Sequence, residues 1–153
     1  MKTLLVVTHM PSANTRVLVD AVLKGASNEE INGIAVVHSQ ALDTNYHDVL
    51  AADAIILGTT ENFGYMSGGM KDFFDRIYYP CLEETQSLPY AIFIRAGNDG
   101  TGAQNSMQRI IKGLAWKQVQ EPLVCSGAWQ PTFPALCEEL GMTMAAGLEI
   151  EIF

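Results

Sequence analysis

A run of glycine, hydroxyl, amide and aromatic residues from Gly58 to Lys71 carries the clearest chemical signal of this chain; its letters read GTTENFGYMSGGMK. Glycines let a backbone approach a ligand closely, and hydroxyls and an amide hydrogen-bond the heteroatoms of a flat ring. Phe63 or Tyr65 is suited to lie along the face of such a ring. The run therefore predicts a loop that binds a flat polar ligand. The alternative is a simple turn, with Phe63 and Met66 in the core.

A second polar loop, from Thr8 to Thr15, reads THMPSANT and leads into a helical pattern. Backbone N–H groups at a helix N-terminus, helped by hydroxyl and amide donors, form an anion site without any lysine. The loop is therefore suited to a phosphate monoester. The other interpretation is ordinary helix capping by Ser12 or Asn14.

A third loop, from Arg95 to Gly102, holds three glycines. Its backbone can meet the edge of a ring, or it is only a flexible turn. Arg95 is expected either to pair with Asp99 or to contact a second substrate. His9 and Trp129 are expected at the same edge of the sheet. His9 is either a proton donor or a solvated or backbone-bonded histidine, and Trp129 either flanks a ring or fills the rim.

Alternating strand and helix patterns must position these loops. Apolar runs predict five strands, and the helical patterns between them predict a parallel sheet covered on both faces. We expect one α/β domain over residues 1–153, with strand order 2-1-3-4-5. In such sheets ligands bind beyond the carboxyl ends of the strands, where the order reverses. The three loops then meet at one edge. The predicted strands are Lys2–Thr8, Ile34–Val37, Ala54–Leu57, Tyr90–Ile94 and Pro122–Cys125.

Composition excludes several classes of function. The 153 residues carry a net charge of −8, which argues against sequence-independent binding of nucleic acid. No apolar stretch is long enough to span a bilayer, and the N-terminal run is too short for a signal peptide, so a cytoplasmic protein is expected. Three cysteines without a C-x-x-C pattern, beside three histidines, predict free thiols and no metal site.

The quoted residues resemble a known family. Phe63-Gly64-Tyr65-Met66-Ser67-Gly68-Gly69-Met70-Lys71, followed by Phe74-Asp75-Arg76, is similar to the flavodoxin-like FMN proteins. The nearest branch contains the tryptophan-repressor-binding-protein-type NAD(P)H:quinone oxidoreductases and the NADPH-dependent FMN reductases, whose loop typically reads T-P-T-R-F-G-N-M-S-G-x-M-K. Ser12-Ala13-Asn14-Thr15 resembles the phosphate loop of that family, commonly T-G-N-T.

The resemblance implies a flavodoxin-like three-layer α/β/α sandwich with bound FMN. The first loop would hold the phosphate, the second would carry the isoalloxazine ring, and the third would meet the other edge of that ring. No catalytic residue and no metal ligand is implied. The residues expected to bind FMN are Met10, Ser12, Ala13, Asn14, Thr15, Thr60, Glu61, Asn62, Phe63, Gly64, Ala96, Gly97 and Asn98.

Two positions depart from the pattern of the family. Ala13 stands where glycine is usual, and Thr60-Glu61-Asn62 replaces Pro-Thr-Arg. A carboxylate at Glu61 beside the flavin would disfavour the anionic reduced form and lower its potential. The other possibility is that Glu61 points into solvent.

The expected function is an FMN oxidoreductase that passes electrons from NAD(P)H to a quinone or a similar acceptor. One alternative is an electron carrier of the flavodoxin type that docks to redox proteins, and another is an interaction module without flavin. A phosphoreceiver domain is disfavoured because Thr8-His9 and Gly58-Thr59 stand where carboxylates are required. A homo-oligomer is possible.

Overall fold

A computed structural model describes all 153 residues. Strands and helices alternate along the chain, as the apolar patterns predict. The strands are β1 (Lys2–His9), β2 (Ile34–Gln40), β3 (Ala54–Asn62), β4 (Tyr65–Met66), β5 (Pro89–Ala96), β6 (Lys117–Gln118) and β7 (Leu123–Ser126). The helices are α1 (Ala13–Ala26), α2 (Tyr46–Leu50), α3 (Gly68–Cys81), α4 (Thr101–Leu114) and α5 (Thr132–Glu149), with a 3₁₀ turn at Ala41–Asp43.

The sheet is parallel apart from β4, and its order is β2-β1-β3-β5-β6. β6 and β7 both pair with β5, one after the other along its length. β7 is the expected fifth strand, and the two-residue strand β6 precedes it without having been predicted. The order 2-1-3-4-5 is therefore confirmed, with the last place shared by β6 and β7. The reversal of strand order between β1 and β3 lies where the phosphate loop leaves the sheet.

Two hydrophobic layers flank the sheet. One face of the strands packs on α3 and α4, and the other packs on α1 and α5. Alternation along β1 makes the division, since Leu5 and Val7 belong to the first layer while Leu4 and Val6 belong to the second. All four side chains are buried, as expected for a strand covered on both sides. This three-layer sandwich is the fold that the resemblance implies.

Helices α1 and α5 cross at unusually close range. A Cβ atom added to Gly25 would lie 1.8 Å from the carbonyl oxygen of Glu138, and one added to Gly141 would lie 2.0 Å from that of Val22. Glycine at both positions thus lets the two backbones touch. This contact fixes α1, whose first three residues belong to the loop expected to hold the phosphate.

Several local expectations need correction. The third strand does not end at Leu57 but continues to Asn62, so Thr59 to Asn62 form part of a strand. A threonine at the start of the last helical pattern predicts an N-cap at Thr132, which is wrong, because Pro131 is the N-cap of that helix. A serine directly before the helical pattern of α3 predicts an N-cap at Ser67, which is confirmed, because its hydroxyl accepts from the N–H of Met70.

The three cysteines are free thiols and all are buried. Burial raises the pKa of Cys81 to about 11. A hydrogen bond between the side chains of Cys125 and Cys137 lowers the pKa of Cys125 and raises that of Cys137. None of the helices has the length and the apolar character that crossing a membrane requires.

Candidate cofactor site at the carboxyl edge of the sheet

The segment expected to hold the phosphate, which we call the phosphate loop (residues 10–15), follows β1 and includes the first three residues of α1. Ser12 caps α1, and its Oγ accepts from the backbone N–H of Thr15 at 3.2 Å. The hydroxyls of Ser12 and Thr15 lie 2.9 Å apart. Ser12, Ala13 and Asn14 are exposed, whereas Met10 is buried in the core and can offer a ligand only its backbone. The loop thus presents neutral donors at the N-terminus of a 14-residue helix.

A chain of hydrogen bonds connects the end of β1, directly before the phosphate loop, to the start of α3. His9 Nδ1 lies 2.9 Å from Ser67 Oγ, and Thr59 Oγ1 lies 3.1 Å from the same oxygen. Thr59 Oγ1 also lies 2.9 Å from the carbonyl oxygen of Thr60. The imidazole packs against Gly69, where an added Cβ would lie 2.3 Å from the ring. His9 is thus bonded to a side chain rather than to the backbone, and its role as a proton donor stays a prediction.

The segment expected to bind the ring is a β-hairpin, which we call the β3–β4 hairpin (residues 60–66). Glu61 pairs with Met66 and Asn62 pairs with Tyr65, so Phe63 and Gly64 form a two-residue turn. Phe63 has φ 54° and Gly64 has φ 70°, the pattern of a type I′ turn. The side chain of Phe63 is fully exposed. An aromatic residue in the left-handed region is uncommon, and such strain is concentrated at functional sites.

Three contacts hold this hairpin on the first turns of α4. Glu61 Oε2 accepts from the N–H of Ala103 at 3.3 Å, and the N–H of Met66 donates to Ser106 Oγ at 3.1 Å. A Cβ on Gly102 would lie 1.9 Å from the carbonyl oxygen of Gly64, so only glycine permits this approach. The carboxylate of Glu61 therefore faces the N-terminus of α4, where a negative charge is favoured. Neither earlier expectation for Glu61, beside the flavin or pointing into solvent, describes this arrangement.

Arg95, the first residue of the third loop, anchors the residues that follow it, 96–100. Its guanidinium donates to the carbonyl oxygens of Ala96, Cys125 and Gly127 at 2.7–3.0 Å. It also lies 5.9 Å from the centroid of the Trp129 ring and 5.3 Å from that of Phe133. The expected pair of Arg95 with Asp99 is wrong, since Asp99 instead accepts from the N–H of Thr101.

The structure brings the three loops to one edge. His9 aligns with Thr59, and Thr60 aligns with Arg95, so the loops leave neighbouring strands at the same level. The exposed groups there include Asn14, Asn62, Gly97 and Asn98, while the side chain of Ala96 is buried. An added Cβ at Gly64 or Gly97 would meet nothing within 4 Å, so both backbones border open space.

These residues fit FMN. Neutral donors at a helix N-terminus suit a phosphate, and two open glycine backbones beside amide groups suit the edge of a heteroaromatic ring. The largest cavity, about 410 Å³, lies elsewhere, between α3 and α4, and shares no residue with the phosphate loop, the β3–β4 hairpin or the third loop.

A comparison with protein families shows to which family this chain belongs. The model for NADPH-dependent FMN reductase matches residues 1–130, most of the chain and all three loops. The chain belongs to the NADPH-dependent FMN reductase family. FMN is its cofactor, and the recognition of a flavodoxin-like FMN protein is confirmed. No curated protein matches the sequence.

Solved structures confirm the fold. An archaeal flavodoxin superposes with a TM-score of 0.78 at 19% identity, over 95% of this chain and 98% of its own. A WrbA-like flavodoxin from Agrobacterium tumefaciens gives 0.76 at 18% identity, over 97% and 98%. An oxidoreductase from Corynebacterium diphtheriae gives 0.68 at 16% identity, over 100% and 99%.

Sequence reasoning missed the residues that support the loops. The role of Glu61 depends on the packing of a strand against a helix more than 40 residues later, which no local pattern reveals. Ser106, inside α4, gave no signal as a partner of the hairpin. The type I′ turn at Phe63-Gly64 was not readable, because the sequence signal of such a turn is Asn, Asp or Gly before the glycine, and Phe63 is none of these.

Proposed function

We propose that this protein is an FMN-dependent oxidoreductase that takes a hydride from NAD(P)H and passes the electrons to a quinone or a similar small acceptor. The observation that carries the proposal is the meeting of three polar loops at one sheet edge, in a chain of the NADPH-dependent FMN reductase family. The name of the family supports a nicotinamide donor. We further propose a cytoplasmic location, where reduced nicotinamides are available and free thiols persist.

In this proposal FMN supplies the hydride and electron chemistry, and the chain binds and orients it. Ser12, Asn14 and Thr15 hold the phosphate together with the N-terminus of α1. Thr60 and Asn62 are placed for the heteroatoms of the ring, and their side chains are already in contact, with Thr60 Oγ1 donating to Asn62 Oδ1 at 3.0 Å.

The remaining proposed ring contacts involve the hairpin turn and the third loop. Phe63 covers one face of the ring, and the backbones of Gly64, Gly97 and Asn98 approach its edges. Met10, Ala13 and Ala96 contribute backbone groups only. Glu61 and Arg95 touch no ligand in this scheme, because their side chains fix the hairpin and the third loop.

The test mixes purified protein with FMN, NADH or NADPH, and a benzoquinone. We expect nicotinamide oxidation well above the rate with free FMN. A rate equal to that of free FMN would refute the oxidoreductase assignment. The variant Gly102→Val is a useful comparison, because its side chain must displace the hairpin at Gly64 and should abolish the protein-dependent rate.

A second candidate is an electron carrier of the flavodoxin type. It is favoured because the superposition spans almost the whole length of the archaeal flavodoxin, and because the net charge of −8 suits docking to a basic partner. This candidate predicts that dithionite reduces the bound flavin in two separate one-electron phases. A single two-electron phase would favour the first candidate.

A further inference from the structure

A second cavity, of about 280 Å³, opens on the other side of the phosphate loop, between the carboxyl ends of β1 and β2. It is lined by His9, Met10, Pro11, Arg16, Gln40, Leu42 and Asp43. None of its side chains is needed for the proposed contacts with the flavin, to which only the backbone of Met10 contributes. The cavity is therefore a separate place to look for a ligand.

Two nitrogen groups in this cavity have no protein acceptor. The side chain of Arg16 makes no ion pair and no hydrogen bond, whereas the ion pairs of the chain use Lys2, Lys24, Lys71 and Arg76. His9 is held at Nδ1 by Ser67, and its Nε2 has no hydrogen-bond partner. In a chain with nine basic and 17 acidic residues, an unpaired guanidinium favours an anion, and Nε2 of His9 adds a second donor when it carries the proton.

The remaining walls offer different chemistry. Gln40 and Asp43 supply an amide and a carboxylate, and Asp43 makes no ion pair with Arg16. A carboxylate accepts hydrogen bonds from sugar hydroxyls. Leu42 is 57% exposed at the same cavity and presents an apolar surface to a base. Cation, hydroxyl acceptor and apolar wall together match a phosphorylated sugar attached to a base.

The size and position of the cavity narrow the ligand further. Its volume lies just below the range of about 300–1,000 Å³ found for whole small-molecule sites, so it suits one part of a larger molecule. It lies two strand spacings, roughly 10 Å, from the junction of β3 and β5, where the flavin ring is proposed. A dinucleotide that places one end at the flavin can place its other end in this cavity.

We propose that this cavity binds the 2′-phosphorylated ribose of NADPH and that Arg16 selects NADPH over NADH. The inference rests on the proposed function, because it assigns a role within the reaction with a nicotinamide donor. The guanidinium of Arg16 contacts the 2′-phosphate, Nε2 of His9 assists it, and Asp43 accepts from the neighbouring ribose hydroxyl. NADH lacks the phosphate and gains nothing from Arg16.

The test compares Arg16→Gln with Lys24→Gln, which removes one positive charge near the other end of the same helix. Each protein, loaded with FMN, is assayed with NADPH and with NADH. Binding of 2′,5′-ADP and of 5′-AMP to each is measured by calorimetry. We expect Arg16→Gln to lower kcat/KM for NADPH and the affinity for 2′,5′-ADP by about tenfold or more. Its values with NADH and 5′-AMP should stay within about twofold of wild type, as should all values of Lys24→Gln.

Three results would overturn the inference. Equal losses with NADPH and NADH would show that Arg16 does not read the 2′-phosphate. Wild-type protein that binds 2′,5′-ADP no better than 5′-AMP would show the same. A loss of affinity for FMN but not for riboflavin in Arg16→Gln would assign the cation to the flavin phosphate. Failure of the proposed function looks different: 2′,5′-ADP would bind through Arg16 while neither nicotinamide is oxidised.

Discussion

At the scale of single residues, Phe63 combines a strained backbone with an exposed ring. Its φ of 54° lies in the left-handed region, and its side chain buries no surface that would offset this strain. A left-handed conformation costs a bulky residue about 1–2 kcal/mol. The chain keeps the phenyl ring at the tip of the hairpin at this cost, which fits a role in covering a ligand.

We expect Phe63→Asn to stabilise the protein without FMN and to weaken FMN binding. Asn-Gly is the preferred sequence of a type I′ turn, so the free energy of unfolding should rise by about 1 kcal/mol. The loss of the ring should reduce FMN affinity by up to about tenfold, the value of one aromatic contact. Urea unfolding and quenching of flavin fluorescence measure the two effects. Unchanged FMN affinity would remove Phe63 from the ring site.

Glu61 shows what the residue pattern alone leaves open. Its place beside the ring-binding residues suggests a contact with flavin, and only the fold reveals that its carboxylate reaches the N–H of Ala103. The opposite case is Ser67, whose position before a helical pattern is enough to predict the cap that the structure confirms. Local capping is determined by neighbouring residues of the sequence, whereas the contact of Glu61 depends on tertiary packing.

At the scale of elements, the contact of α1 with α5 sets the position of the phosphate loop. Their backbones touch at Gly25 and Gly141, and each glycine faces a carbonyl oxygen of the other helix. A backbone oxygen cannot rotate away as a side chain can. The two helices must therefore separate if either glycine gains a side chain.

We expect Gly141→Ala to lower the free energy of unfolding by about 1–3 kcal/mol, the usual cost of overpacking a core. Alanine favours a helix over glycine by about 1 kcal/mol, so any loss observed is a packing effect. The control is Gly68→Ala, at the start of α3, where an added Cβ meets nothing within 4 Å. Gly141→Ala as stable as wild type would contradict the close crossing.

The order of elements was predictable because each of the five predicted strands is an apolar run and each long helix has a helical apolar pattern. The ends of the elements were less predictable from the sequence. Strand β3 runs five residues past the predicted end at Leu57, because pairing with β4 and β5 holds residues that have little apolar character. The two-residue strand β6 lacks an apolar run of its own and exists through pairing with Pro89 and Tyr90.

At the scale of the whole molecule, one sheet carries both hydrophobic layers and all three loops. We expect the protein to unfold in urea as one cooperative transition, with fluorescence and circular dichroism changing together. Saturating FMN should shift the midpoint upwards, because a ligand that binds only the folded state stabilises it. Two separate transitions would contradict the expectation of a single domain.

The central claim is that FMN lies across the three loops, with its phosphate at the N-terminus of α1. The most direct measurement is the FMN affinity of Asn14→Asp beside that of Asn105→Asp, which adds the same charge at an exposed position on α4. A carboxylate next to the phosphate should weaken binding by at least about fivefold through repulsion of order 1–3 kcal/mol, while Asn105→Asp stays within about twofold of wild type. Equal affinity in Asn14→Asp and wild type would contradict the placement of the phosphate.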